Sequence, residues 1–221
     1  MNDPGQIAQQ SVGQPAPSRI LLIRHGETDL NQEQRIRGWA DVDLSDRGIQ
    51  DTQKTAQHLQ NEGISEIVTS DLSRSEQTGH ILQSNLFVPT DSDRNLRPWD
   101  LGKFTGLKLD DIRSEMNRYV ESPQKKVPGG ESFNDFQNRW TTGLQTLAAR
   151  AMQSETGTIA AVTHSRNIEL TRAMLAGHKD TKTLVSANTV PPSGVMHLAI
   201  QNGSIHEEPF DNSHLQQRKD E

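Results

Sequence analysis

Apolar residues in this chain collect into short runs separated by long polar stretches. Ile20-Leu21-Leu22-Ile23, Ile67-Val68 and Ile159-Ala160-Ala161-Val162 are continuous rather than alternating. That is the pattern of strands buried on both faces, as in a parallel sheet. It predicts strands over residues 19–23, 66–69 and 158–162, with further short strands at 87–88 and 195–200. Elsewhere the apolar period lengthens. Phe133, Phe136, Trp140, Leu144 and Leu147 recur at helical spacing and predict the longest helix, over 131–152. Ser45 as an N-cap and Gly63 as a stop bracket a helix over 46–61. Shorter helices are expected at 74–84, 110–119 and 167–175, the last closed by Gly177. Strands that alternate with helices indicate an α/β class, a three-layer α/β/α arrangement around one central, mostly parallel sheet.

Composition sharpens the boundaries. The chain has 221 residues, enough for one domain, but only 31% are hydrophobic. The deficit falls at the ends: residues 1–18 and 211–221 are nearly all small or polar and read as flexible tails around a domain at 19–210. Within it, the irregular stretch of about 95–130 is expected to form a lid that sets specificity. A formal charge of −6 argues against a general nucleic-acid binder, yet a local cationic pocket can sit in an acidic protein. There is no cysteine, hence no disulfide or thiolate site, and the histidines lack metal-ligand spacing. No apolar run approaches the roughly 18 residues of a membrane span, and the N-terminus lacks a signal-peptide pattern. The expectation is a cytoplasmic protein with a small phosphorylated substrate. No metal, other cofactor, nucleic acid or membrane is expected; a homodimer is compatible with the sequence but not fixed by it.

The chemistry sits where the apolar runs stop. Each of three runs ends in polar groups on a loop that leads toward a helix: Arg24-His25-Gly26, then Ser70 to Arg74, then His164-Ser165. In open α/β sheets, ligands bind at the C-terminal ends of the strands. If the three strands are neighbours, Arg24, His25, Arg74 and His164 converge there. Two guanidinium forks, two imidazoles and nearby helix N-termini suit a phosphoryl group. The cations would favour a neutral His25 with a ring nitrogen free to attack. Gly26 would let a ligand approach the backbone. Arg37 and Arg166 either extend this pocket or form a solvated face.

These residues carry a resemblance. Leu22-Ile23-Arg24-His25-Gly26-Glu27-Thr28 resembles the signature of the histidine phosphatase superfamily, the phosphoglycerate mutase-like proteins. Asn31, Gly38 and Asp43 to Gly48 resemble the stretch that follows it; Thr69 to Thr78 resembles the second arginine motif. Pro128-Gly129-Gly130-Glu131-Ser132-Phe133 and Val162-Thr163-His164 resemble the later motifs, in the family's order across about 19–200. The resemblance implies an α/β/α sandwich with His25 as the nucleophile that forms a phosphohistidine. It implies that Arg24, Arg74 and His164 hold the phosphoryl oxygens, with Asn31 as a further polar contact.

Two departures stand out. The family usually carries a glutamate after a Leu-Arg pair, and that glutamate protonates the leaving group; here Pro98 follows Leu96-Arg97. Asp100 is the nearest carboxylate in sequence and the first candidate to replace it. Glu131 is a second candidate for the site, although it also reads as an acidic residue favoured in the first turn of its helix. Ser165 stands where glycine often follows the second histidine, and its hydroxyl would bond a phosphate or narrow the pocket. The leading expectation is a metal-independent phosphatase acting on a phosphomonoester. A phosphoglycerate mutase-type transferase and a phosphate-binding regulatory protein without turnover are the alternatives.

Overall fold

The signature run becomes β1 (Ser18–Arg24), a central strand with a sequence apolar enough to be covered on both faces. With β2 (Ile67–Thr69), β3 (Thr90–Ser92), β4 (Thr158–Thr163), β5 (Val195–Gln201) and β6 (Ser204–Glu208) it builds one mixed sheet in a computed structural model. The structure describes residues 17–184 and 189–215, and no side chains at 183–184. The strand order is β3-β2-β4-β1-β5-β6, parallel from β3 to β1 and antiparallel beyond. Register decides what meets at the edge. Arg24 lies opposite Thr163, and Thr69 opposite Val162, so His25, Ser70 and His164 leave the same side of the sheet.

The two faces bury different residues because side chains alternate along a strand. Ile20, Leu22, Ile159 and Ala161 pack in one cluster with Phe136, Trp140 and Leu147 of α5 (Phe133–Gln153). Leu21, Ile23, Ala160 and Val162 pack on the other face with Ala56 of α2 (Asp46–His58) and Leu82 of α3 (Ser73–Leu86). This is the expected three-layer α/β architecture. A turn of helix, α1 (Asp29–Gln32), follows the signature. α4 (Leu109–Glu121), α6 (Ser165–Leu175) and a short α7 (Thr181–Leu184) complete the helices of the described residues.

Local chemistry sets several boundaries. The Ser45 hydroxyl accepts from Gly48 N and caps α2; Ser132 and Asp135 form a reciprocal box that starts α5 at Phe133. Residues 87–88 are not a strand. Phe87 ends α3 in a left-handed conformation and is 89% exposed, and the strand begins at Thr90. β6 lies beyond the predicted elements. The segment expected as a lid is packed along much of its length: Leu96, Phe104, Ile112, Tyr119 and Val127 all belong to the main core. Residues 211–215, expected with the C-terminal tail, are tied to the domain. Asn212 bonds both the N–H and the carbonyl of Val195, and His214 stacks on His58 at 4.4 Å. The remainder of both expected tails, 1–16 and 216–221, lies outside the described residues.

One contact ties α2 to the signature. A Cβ on Gly48 would lie 2.2 Å from the Glu27 carbonyl oxygen, and one on Gly26 would lie 2.8 Å from Thr52 Oγ1. Gly26 is therefore required by helix packing and does not line the site. Gly48→Ala must push α2 away from the backbone that follows His25. We expect a loss of about 1–3 kcal/mol, the usual range for overpacking. A urea midpoint unchanged from wild type would contradict this account.

Candidate active site

His25 emerges from β1 into the interior and is 1% exposed. Its Nδ1 lies 2.6 Å from the Gly26 carbonyl, which can only accept, so Nδ1 carries the proton. Nε2 is then the unprotonated nitrogen, on a ring that lines a small pocket of about 100 Å³. Burial holds His25 neutral, well below the ordinary imidazole pKa, and the positive charges of Arg74, Arg37 and Arg24 reinforce it. The His164 ring stands 5.1 Å from the His25 ring and is held neutral by burial and Arg74 in the same way.

The cations are set by backbone carbonyls, not by carboxylates. Arg74 donates to Ala40 O at 2.7 Å and Gly38 O at 3.0 Å; Arg24 donates to Val190 O at 3.0 Å. Each keeps a buried Nε with no partner among the described residues. Burial and mutual repulsion lower the Arg74 pKa to about 9 and the Arg37 pKa to about 10, which leaves both charged at neutral pH. His164 Nε2 lies 3.0 Å from Ser70 Oγ. A hydroxyl donating there places the ring proton on Nδ1, itself buried and without an acceptor among the described residues. A tetrahedral oxyanion would meet these unpartnered donors and relieve the crowding of positive charge.

The structure divides the sequence candidates. His25, Arg37, Arg74, His164 and Ser165 line the pocket, together with Arg166. Arg24 lies beside them, close enough to shift His25 and Arg37. Asn31 does not reach the pocket lining. Its Oδ1 accepts from the backbone N and hydroxyl of Thr28 and caps α1. Asp100 also stands apart, its Oδ1 accepting from Gly102 N at 3.1 Å. Glu131 is a structural anchor. It bonds Asp100 N at 3.0 Å and forms an ion pair with Arg139 at 2.6 Å, each side chain 15% exposed. Arg139 in turn donates to the carbonyls of Arg97 and Pro98. The pair fixes the 97–102 segment so that Pro98, Trp99 and Leu101 reach the pocket.

Sequence reading passed over Glu169. It pairs with Arg166 at 2.7 Å; burial raises its pKa above the ordinary glutamate value, and the charges of Arg166, Arg24 and Arg37 only partly offset that rise. Its i,i+3 spacing from Arg166 was a signal available in the sequence. Among the described residues, no group of three or more His, Cys, Asp or Glu side chains is placed to hold a metal ion, and no helix is long and apolar enough to cross a membrane.

An α/β/α fold whose sheet edge presents a neutral histidine among arginines defines a class of oxyanion-binding protein. The chain belongs to the histidine phosphatase superfamily (branch 1), whose sequence model matches residues 20–212. It is 38% identical over 140 residues to phosphoglycerate mutase-like protein 4 of Arabidopsis thaliana, a match covering 59% of this chain and 60% of that protein. It superposes on the structure of Bacillus stearothermophilus YhfR with a TM-score of 0.75 at 28% identity, covering 90% of this chain and 99% of that one. It also shares its fold with a mycobacterial glucosyl-3-phosphoglycerate phosphatase solved with VO3, at a TM-score of 0.74 and 24% identity, covering 86% and 96%.

Proposed function

We propose that this protein is a cytoplasmic, metal-independent phosphatase that hydrolyses a phosphate monoester by way of a phosphohistidine on His25. The observation that carries this reading is the state of the His25 ring: buried, neutral, and with Nδ1 committed to Gly26 O. That leaves Nε2 with its lone pair toward a pocket of arginines. In the first step Nε2 attacks phosphorus while Arg24, Arg37, Arg74 and His164 stabilise the charge on the equatorial oxygens. Water then attacks the phosphohistidine and releases phosphate. The mycobacterial protein named a glucosyl-3-phosphoglycerate phosphatase has the same fold, and its structure was solved with VO3.

The test is hydrolysis of p-nitrophenyl phosphate in EDTA. Turnover that survives chelation supports the reading; a requirement for added metal would sink it. A parallel assay with a phosphoglycerate and a bisphosphoglycerate primer would reveal a mutase by isomerisation faster than hydrolysis. The pH profile carries a second expectation. Because the folded pKa of His25 lies well below 6.5, the nucleophile stays neutral as pH falls through 6.5, and kcat should hold there. Stability behaves differently. Below about pH 6.5 the unfolded chain binds protons that buried His25 and His164 do not, so the native state loses stability as pH drops through that value. Thermal midpoints should therefore decline as pH falls through 6.5 while kcat does not.

A further inference from the structure

We infer that the substrate's leaving group departs as a stable anion with no proton donor: the enzyme acts on acyl or aryl phosphates, not on phosphates of aliphatic alcohols. The inference rests on the phosphatase reading; it narrows the esters to aryl ones and adds acyl phosphates, which are mixed anhydrides.

Among the described residues the pocket is walled by guanidinium, imidazole, hydroxyl and apolar groups, and no carboxyl group lines it. Pro98 takes part in that wall and has no proton to give. The carboxylates of the neighbouring segments are committed elsewhere. Asp71 holds Arg97 through two bonds of 2.6 and 2.8 Å, and Asp41 takes the backbone N and hydroxyl of Ser73. These bonds lower the pKa of both, so each is ionised near neutrality and donates nothing. Asp100 is turned to Gly102 N, Glu131 to Arg139, and Glu169 to Arg166. Position 98 cannot be filled from nearby without breaking one of these contacts.

An aliphatic alkoxide is too basic to leave unprotonated, whereas a carboxylate or a phenolate leaves readily. The rim supplies what such an anion needs. Arg37 and Arg166 line the pocket, where positive charge stabilises a departing oxyanion. With an acyl phosphate, His25 Nε2 forms the P–N bond as the P–O bond to the acyl oxygen breaks. The electron pair leaves with the carboxylate, and the Nδ1 proton stays where it is. Water then adds to phosphorus, the P–N electrons return to Nε2, and dihydrogen phosphate leaves, losing a proton to solvent as pH dictates.

The experiment compares kcat/KM of the wild type for acetyl phosphate, p-nitrophenyl phosphate and glycerol 2-phosphate, with His25→Ala as the blank. We expect the first two to exceed the third by about 10³-fold, within the range attributed to a missing general acid. The faster of the first two assigns the leaving group as acyl or aryl. Pro98→Glu should raise the ratio of glycerol 2-phosphate to p-nitrophenyl phosphate hydrolysis tenfold or more. If that variant fails to fold, the wild-type series decides alone. Glycerol 2-phosphate hydrolysed within tenfold of p-nitrophenyl phosphate would overturn the inference and leave the phosphatase standing. Inertness toward all three would overturn both.

Discussion

Replacing His25 by alanine is expected to abolish p-nitrophenyl phosphate hydrolysis, by about 10⁴-fold or more, as loss of a covalent nucleophile does elsewhere. The arrangement leaves no substitute. The other imidazole in the pocket, His164, has its Nε2 engaged with Ser70, and the remaining lining is cationic, hydroxylic or apolar. Arg24, Arg74 and Arg37 draw their positions from backbone carbonyls and burial rather than from His25, so phosphate should still bind to the variant. Loss of turnover with retained phosphate affinity is thus the expected pair of results. Quenching the wild type in alkaline detergent during turnover should trap phosphate on a histidine, a linkage that survives alkali and not acid. The variant should trap none. A variant that kept a tenth of wild-type activity would remove His25 from the reaction.

Residues held by the sheet were legible because strand register carries them. Continuous apolar runs told which strands are buried, and their polar ends had to emerge together once β1, β4 and β2 paired in parallel. Thus His25, His164 and Arg74 could be placed from the chain alone. Residues on the irregular segments were not legible, because their directions depend on long-range partners. Asp100 looked available, yet its orientation follows from a local bond to Gly102 N and from Glu131, 31 residues away, fixing its backbone. Asn31 shows the reverse case. A one-turn helix needed a cap, and the side chain that could have met a phosphate meets Thr28.

Two misreadings had visible signals. Asn202-Gly203, with φ of 52° and 75°, forms the tight turn between β5 and β6; the pair is a strong hairpin sign, although the strand that follows it is mostly polar. Phe87-Val88 looked like a strand because two large apolar residues stood together. At the end of α3 the chain instead turns through a left-handed residue, and Phe87 is left in solvent. Short apolar pairs do not separate a strand from a helix end, and only the pairing of Ile67 with Thr90 settles the matter.

Arg74→Met is expected to reduce kcat by about 10²- to 10³-fold, the loss typical of removing a preorganised oxyanion donor. Methionine roughly fills the space of the stem and removes the fork. The carbonyls of Gly38 and Ala40 then lose their donor, and the loop that walls the pocket next to Arg37 is freed. The electrostatic consequence separates this from simple loosening. After burial, which is the larger cause, Arg74 is the foremost charge that depresses the pKa of both His25 and His164. Without it both rise toward the ordinary imidazole value, and the acid limb of the kcat profile should move to higher pH. Arg74→Lys keeps the charge and loses the fork, since a single ammonium cannot span two carbonyls and a phosphoryl oxygen in fixed geometry. It should therefore lower kcat while leaving the acid limb near its wild-type position. If both variants shifted the limb equally, or neither lowered kcat more than threefold, Arg74 would be a structural residue, and the charge on the transferred phosphoryl group would have to be met by Arg24 and Arg37.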